Sequence, residues 1–368
     1  MGMDLNQGVI VEIQRSARTY RDGDEEGIFE LLKTVYPSVQ HDRARWMRWW
    51  HWMFKEDPVG PSCIYIIDEQ DKIIAHHAYY MFDLKVRDEI VKGCQGRDLM
   101  RHPDPKYKGL GKYIFDIGLQ QQASKKEVRI IIGFVNETVH LTTISAGYLD
   151  VALIRPMIKI LNLRRVLETR IKNRGLSKLC AISSGLLLNT MYGSRRPPHI
   201  EGLTITQVAS FDDRVNGLWS RVSDSHQIMA VRNKPYLNWR YGAPGIDNTI
   251  YVAEQGEDIV GYIVLRCEQQ NGMKQARIYD IVGQSEQVIH RLVAEAVERS
   301  RNEEADYVYC TMLASRAYLR AMRRNGFLSA PFTNSIWFCA YSSDPPISGA
   351  FIQNPQNWFI QLGDTDVY

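Results

Sequence analysis

The sequence has no Cys-x-x-Cys pair and no Cys/His run at metal-ligand spacing: Cys63, Cys94, Cys180, Cys267, Cys310 and Cys339 lie far apart. Such scatter offers neither a disulfide framework nor a zinc motif, so reduced, mostly buried thiols and no metal are expected. An apolar signal core is missing behind Met1-Gly2-Met3-Asp4, and no run reaches the roughly 18 apolar residues of a spanning helix. A cytoplasmic protein is the expectation. Neither sign of charge dominates, since 45 basic and 42 acidic residues leave +3. That is far from the excess of a dedicated nucleic-acid binder, and no nucleic-acid partner is expected.

What is there suits a globular protein with a real core: 45% hydrophobic, 24% charged and 10% aromatic residues. The 368 residues exceed one ordinary domain, which predicts two. Acidic residues at Asp24, Glu25 and Glu26 mark a helix start, and Trp46, Trp49, Trp50 and Trp52 give a second helix an aromatic face, open to reading as core or as acceptor platform. Strands are expected over 63–67, 72–82 and 83–91, then an extended piece from Gly93 to Met100. A loop His102–Gly111, a helix over 112–123, a strand over 128–134, a helix Glu137–Ser145 ended by Gly147 and a strand over 148–160 complete an α/β domain. The second half repeats this order, with a helix over 285–301 and a last strand over 336–341. The resulting division is 1–160, a basic connection 161–204, 205–345 and a tail 346–368. Within the connection, Leu176–Met191 reads either as a helix packed on the fold or as an interfacial helix, with 161–196 touching an acidic membrane surface.

The informative run is Arg101-His102-Pro103-Asp104-Pro105-Lys106-Tyr107-Lys108-Gly109-Leu110-Gly111-Lys112. Two glycines bracketing one residue at a helix start let backbone N–H groups approach a pyrophosphate. This segment resembles motif A of the GNAT superfamily of N-acetyltransferases, Arg/Gln-x-x-Gly-x-Gly/Ala, with Lys106 in the Arg/Gln place. The resemblance continues through Gly133-Phe134-Val135-Asn136-Glu137 and Ser145-Ala146-Gly147-Tyr148. Downstream, Ala317–Phe327 is similar to the terminal helix and Gly-Phe of a second repeat, whose phosphate-loop position reads Val282-Gly283-Gln284-Ser285-Glu286, with a single glycine. The Tyr236–Tyr241 and Asn357–Asp366 runs look similar to tandem GNAT proteins found with cell-surface polysaccharide biosynthesis.

The resemblance implies a mixed α/β (α+β) protein of two GNAT-like domains, each a mostly antiparallel sheet flanked by helices. It also implies direct transfer of an acyl group from acetyl-CoA or another acyl-CoA to an amine, of a small molecule, amino sugar or glycan precursor. Leu99, Met100 and Arg101 would hold the pantetheine and polarise the thioester, Lys106, Tyr107 and Lys108–Lys112 would cradle the pyrophosphate, and Asn136 would line the opposite strand. Asp98 and Glu137 are the base candidates, with His102 and His140 as relays. Thr143 stands where the family often has a Tyr acid, leaving Tyr148 or water to protonate the thiolate. One CoA per chain is expected, the second domain serving as scaffold and cleft wall. A non-catalytic acyl-CoA sensor and an aminoacyl-tRNA-dependent transferase are the alternatives; the near-neutral charge speaks against the latter. Oligomeric state is not legible.

Overall fold

The computed structural model describes residues 17–38, 42–170, 195–270, 272–330, 335–344 and 347–365. The segment Leu176–Met191 lies outside the described residues, and of the 161–196 stretch expected at a membrane surface only 161–170 and 195–196 are described. The first half contains β1 (Arg18–Thr19), α1 (Asp24–Val35), α2 (Arg43–Lys55), β2 (Cys63–Glu69), β3 (Lys72–Val86), β4 (Glu89–Arg101), α3 (Leu110–Ala123), β5 (Val128–Val135), α4 (Glu137–Ser145), β6 (Leu149–Ile154), β7 (Met157–Ile160) and α5 (Leu163–Arg170). The second follows with β8 (Leu203–Val208), α6 (Arg214–Ser223), β9 (Ile228–Ala230), α7 (Lys234–Tyr241), β10 (Thr249–Gln255), β11 (Asp258–Gln270), β12 (Met273–Gly283), α8 (Glu286–Asn302), β13 (Tyr307–Cys310) and β14 (Met312–Leu313). The chain closes with α9 (Arg316–Arg324), β15 (Leu328–Ser329), β16 (Ile336–Ser342), α10 (Gly349–Gln353) and β17 (Trp358–Gln361). None of the described helices is long and apolar enough to cross a membrane.

Local chemistry accounts for the ends of these elements. Three acidic side chains open α1, and the Asp42 carboxylate accepts from the Arg45 amide at 3.0 Å to cap α2. The long Ile-, Tyr- and Phe-bearing run of β3 pairs with β4 as one hairpin turned at Arg87-Asp88, so the separate strand expected over 83–91 is its lower end.

Two mixed, mostly antiparallel sheets result. In the first the order is β14-β17-β9-β3-β4-β5-β16-β6, with β2 and β1 added beside β3; in the second it is β15-β7-β13-β12-β11-β10-β8. The halves exchange strands. Only Arg155-Pro156 separates β6 from β7, yet β6 stays in the first sheet while β7 lies between β13 and β15 in the second. Conversely β16 leaves the second sheet and inserts between β5 and β6. A proline at the crossing removes a ladder donor and favours the break. The strand expected over 148–160 is therefore two strands, and the expected boundaries at 160 and 345 cut across both sheets.

The C-terminal stretch, expected as a tail, is structural. β12 and β13 run parallel only over Gln275–Ile278 and Tyr307–Cys310, after which β14 pairs with β17 instead. Residues 358–365 thus occupy the opening of the second half. A Cβ on Gly363 would collide with the Tyr241 hydroxyl, so only glycine passes there. Arg232, 2% exposed, reaches Asp280 at 3.0 Å and Asp364 at 2.6 Å, and Asp280 also accepts from the Tyr241 and Tyr262 hydroxyls at 2.9 Å. Burial works against the guanidinium charge, but the two carboxylates outweigh it and raise the Arg232 pKa. The halves are further locked by Trp52 and Trp239, stacked at 5.1 Å, each indole N–H donating to the other residue's carbonyl at 3.0 Å.

Removing one partner of a buried pair leaves a naked charge, so Asp280→Ala should cost about 3–5 kcal/mol in urea unfolding, against under about 1 kcal/mol for the exposed Asp213→Ala. A pH effect follows from Asp57, whose Oδ2 is buried without a partner. Burial pushes this carboxyl up to about 7, against the Val59 amide and Arg240. The native state therefore keeps a proton that the unfolded chain has released above the usual range near 4, and stability falls as pH rises from about 4 to about 7. Asp57→Asn should flatten that slope, gaining on the order of 2 kcal/mol on wild type at pH 8 relative to pH 5.

Candidate functional site

The site is built where two parallel strands part. β4 and β5 pair over Lys92–Gln95 and Val128–Ile132, and beyond that point Gly96–Arg101 and Gly133–Val135 belong to different ladders. A β-bulge sits at the parting: His76 pairs with Met100 and Ala78 with Arg97, so Asp98 and Leu99 oppose His77 alone. Asp98 takes φ 49°, an uncommon left-handed value for a residue other than glycine. The carbonyl of Asp98 accepts from His76 Nδ1 at 2.8 Å, which fixes the tautomer, since a carbonyl cannot donate. Burial lowers the pKa of His76, so this ring is neutral, and its Nε2 is buried without a partner. The sequence reading missed His76; its one signal was a pair of histidines, His76-His77, inside an otherwise apolar strand.

At the mouth of the opening a 3-10 turn, Pro105–Tyr107, leads to Gly109 and the start of α3. Gly109 has φ 98°, a left-handed turn that costs a side chain about 1 kcal/mol or more, and it throws the chain into the helix. The first intrahelical bond runs from the Tyr113 amide to the Gly109 carbonyl, which leaves the amides of Leu110, Gly111 and Lys112 outside the helix ladder. Three N–H groups at the positive end of a helix dipole form an anion cradle. Arg101 braces the loop from beneath, donating to the carbonyls of His102 at 2.7 Å and Asp104 at 3.2 Å.

The other expected site residues divide. Lys106 pairs with Glu69 at 3.0 Å, and the Tyr107 hydroxyl donates to the same carboxylate at 2.5 Å; Tyr107 first and Lys106 second hold the Glu69 pKa below its ordinary value. This makes Lys106 a brace of the β2–β3 hairpin end as well as a nearby cation. Lys108 is exposed beside the cradle, and Lys112 pairs with Asp116 one turn along α3. Leu99 packs into the apolar layer under α3, while Met100 is buried on the opposite face of the sheet. Asn136 caps α4, its side chain accepting from the Val139 amide at 3.1 Å, and Glu137 is exposed in the first turn of that helix. Asp98 and Glu137 therefore stand on, or directly after, the two diverging strands. Tyr148 is buried between Phe115 and Tyr341, at 5.9 and 5.8 Å, and burial raises its pKa well above the usual value. Thr143 is buried too, its hydroxyl donating to the Val139 carbonyl at 3.0 Å.

On the face of the sheet opposite α3 lies a cleft of about 850 Å³ between α1, α2 and the second half. Tyr36, Trp46 and Trp49 form one wall, and Ile246, Asp247 and Arg266 lie across from them. Trp49 connects the cleft to the bulge, since the Arg97 guanidinium, next to Asp98, lies 5.7 Å from its ring. Two of the four tryptophans, Trp50 and Trp52, are core; the other two line this cleft.

No protein-family model and no curated protein matches the sequence. Solved structures do. The chain is similar to a GCN5-related N-acetyltransferase from Anabaena variabilis, with a TM-score of 0.61 and 11% identity over 89% of this chain and 72% of that one. A conserved protein of unknown function from Enterococcus faecalis matches with the same score and coverage. N-myristoyltransferase of Saccharomyces cerevisiae, solved with bound myristoyl-CoA, matches at 0.58 with 12% identity, over 89% of this chain and 80% of that one. At 11–12% identity the likeness is one of fold, and over 89% of its length the chain has the mixed α/β fold of the GNAT-type N-acyltransferases.

Proposed function

We propose that the protein is an acyl-CoA-dependent N-acyltransferase with one cofactor site, in the first half. The observation that carries this reading is the parting of β4 from β5 with the Gly109-capped start of α3 at its mouth. Acyl-CoA, acetyl-CoA in the simplest case, would place its pyrophosphate on the amides of Leu110, Gly111 and Lys112, with Lys108 nearby. Its pantetheine would run between Leu99–Arg101 and the Gly133–Asn136 side of the opening. An amide released from the β3–β4 ladder by the bulge would donate to the thioester oxygen as negative charge develops there.

The acceptor amine would enter through the aromatic cleft. Rings at Tyr36, Trp46 and Trp49 suit the apolar faces of a sugar or the methylenes of an alkylamine, and Asp42, Asp247 and Glu268, set against Arg45 and Arg266, leave the lining slightly acidic, which favours an ammonium. Attack of the neutral amine on the thioester carbonyl forms the C–N bond and expels the CoA thiolate. Asp98, half-buried at the bulge, would take the ammonium proton, with His76 as a positioning residue through its bond to the Asp98 carbonyl. The leaving thiolate would draw its proton from water, because Thr143 is committed to its own helix.

Two substitutions test the reading by thiol release on a panel of amines with acetyl-CoA and longer acyl-CoAs. A Cβ at Gly111 would make only an ordinary van der Waals contact, with Arg101 Cβ at 3.8 Å, so Gly111→Trp should fold and yet raise the KM for acyl-CoA at least about tenfold. Asp98→Asn should lower kcat about 100-fold or more with little change in that KM. Acyl-CoA binding without thiol release on any amine would favour the sensor reading, which the absence of a tyrosine at position 143 supports.

A further inference from the structure

Among the described residues one group of His, Cys and carboxylate side chains converges away from the cofactor loop: His140 on α4, Asp150 on β6 and Cys339 on β16, with ligand atoms all within 4.8 Å of one another. Both His140 Nε2, at 2.5 Å, and Cys339 Sγ, at 3.6 Å, contact the same oxygen, Asp150 Oδ1. The ring of His140 is held flat against Trp337, with centroids 4.0 Å apart and planes at 11°. Cys339 is aimed by the register: it pairs with Asp150 immediately after a bulge between Phe338 and Cys339.

We infer that His140, Asp150 and Cys339 form a site for a borderline divalent transition-metal ion, Zn²⁺ being the best fit. One nitrogen, one sulfur and one carboxylate oxygen match that ion's preferences and leave a fourth position open. With metal–sulfur and metal–oxygen bonds of about 2.3 and 2.1 Å, a tetrahedral edge from sulfur to oxygen is about 3.6 Å. The Sγ–Oδ1 distance already has that value. The corresponding nitrogen–oxygen edge is about 3.4 Å, so the His140–Asp150 hydrogen bond must open by about 0.9 Å, within reach of a carboxylate that is 46% exposed. On binding, the Cys339 thiol gives its proton to solvent and the thiolate becomes a ligand. The ion would clasp α4 and β6 of the first half to β16, the strand lent by the second, so its effect would be on the joint between the halves and does not depend on the acyltransferase reading.

The test uses full-length protein stripped with a chelator and titrated with Zn²⁺ alone, with Co²⁺ as a spectroscopic probe. The expected result is saturable 1:1 uptake, a thiolate-to-Co²⁺ absorption band and a rise in melting temperature with Zn²⁺. Asp150→Asn at an exposed position and His140→Gln at a half-buried one should each weaken uptake at least about tenfold, and Cys339→Ser should abolish the Co²⁺ band. No saturable uptake, or uptake undiminished in Asp150→Asn and His140→Gln, would overturn the proposal.

Discussion

Everything that places the candidate site depends on how far one pair of parallel strands stays together. β4 and β5 share a ladder only from Lys92 to Gln95, and then the bulge at Asp98 turns β4 away. Peptide groups that leave a ladder must find other partners, and a slot between two strands of one sheet is a place where an extended ligand can supply them. The apolar layer of Tyr79, Ile114, Phe115 and Ile131 fixes α3 on one face of the sheet, so its N-terminus points at the mouth of the slot. On the other face the tryptophan-bearing α2 and the second half shape a cleft.

The second half has the same opening and uses it differently. Where β12 leaves β13, the chain's own residues 358–365 enter, held by Arg232 between two aspartates. Covalent attachment makes this occupant effectively permanent, and the buried ion pairs set its register. With a single glycine in the Val282–Glu286 turn and a filled slot, two independent features speak for one cofactor per chain. The exchange of β7 and β16 and the stacked pair Trp52–Trp239 then make each half depend on the other.

Much of this was legible before the structure. The Gly109-x-Gly111 pair, its position between a strand and a helix, and the repeated element order were all readable, because each follows from local backbone demands and short-range periodicity. The strand exchange was not. Arg155-Pro156 reads as an ordinary turn, and nothing local says that the strand after it joins a sheet formed more than a hundred residues later. For the same reason His140, Asp150 and Cys339 could not be grouped: Cys339 lies 189 positions beyond Asp150 and arrives on the exchanged strand. Asp98 and Glu137 were chosen as candidates by their places at strand ends, whereas His76 and Asp57 owe their interest to burial, which residue spacing does not report. Position alone likewise did not report that Asn136 also caps α4 or that Tyr148 is a core ring.

The central claim is one acyl-CoA site, in the opening of β4 from β5, with the second opening closed by the chain itself. Calorimetric titration of the full-length protein with acetyl-CoA and with a long-chain acyl-CoA measures this directly. A stoichiometry of one with at least one of them is the predicted result; a stoichiometry of two, or no heat of binding with either at millimolar concentration, would contradict it.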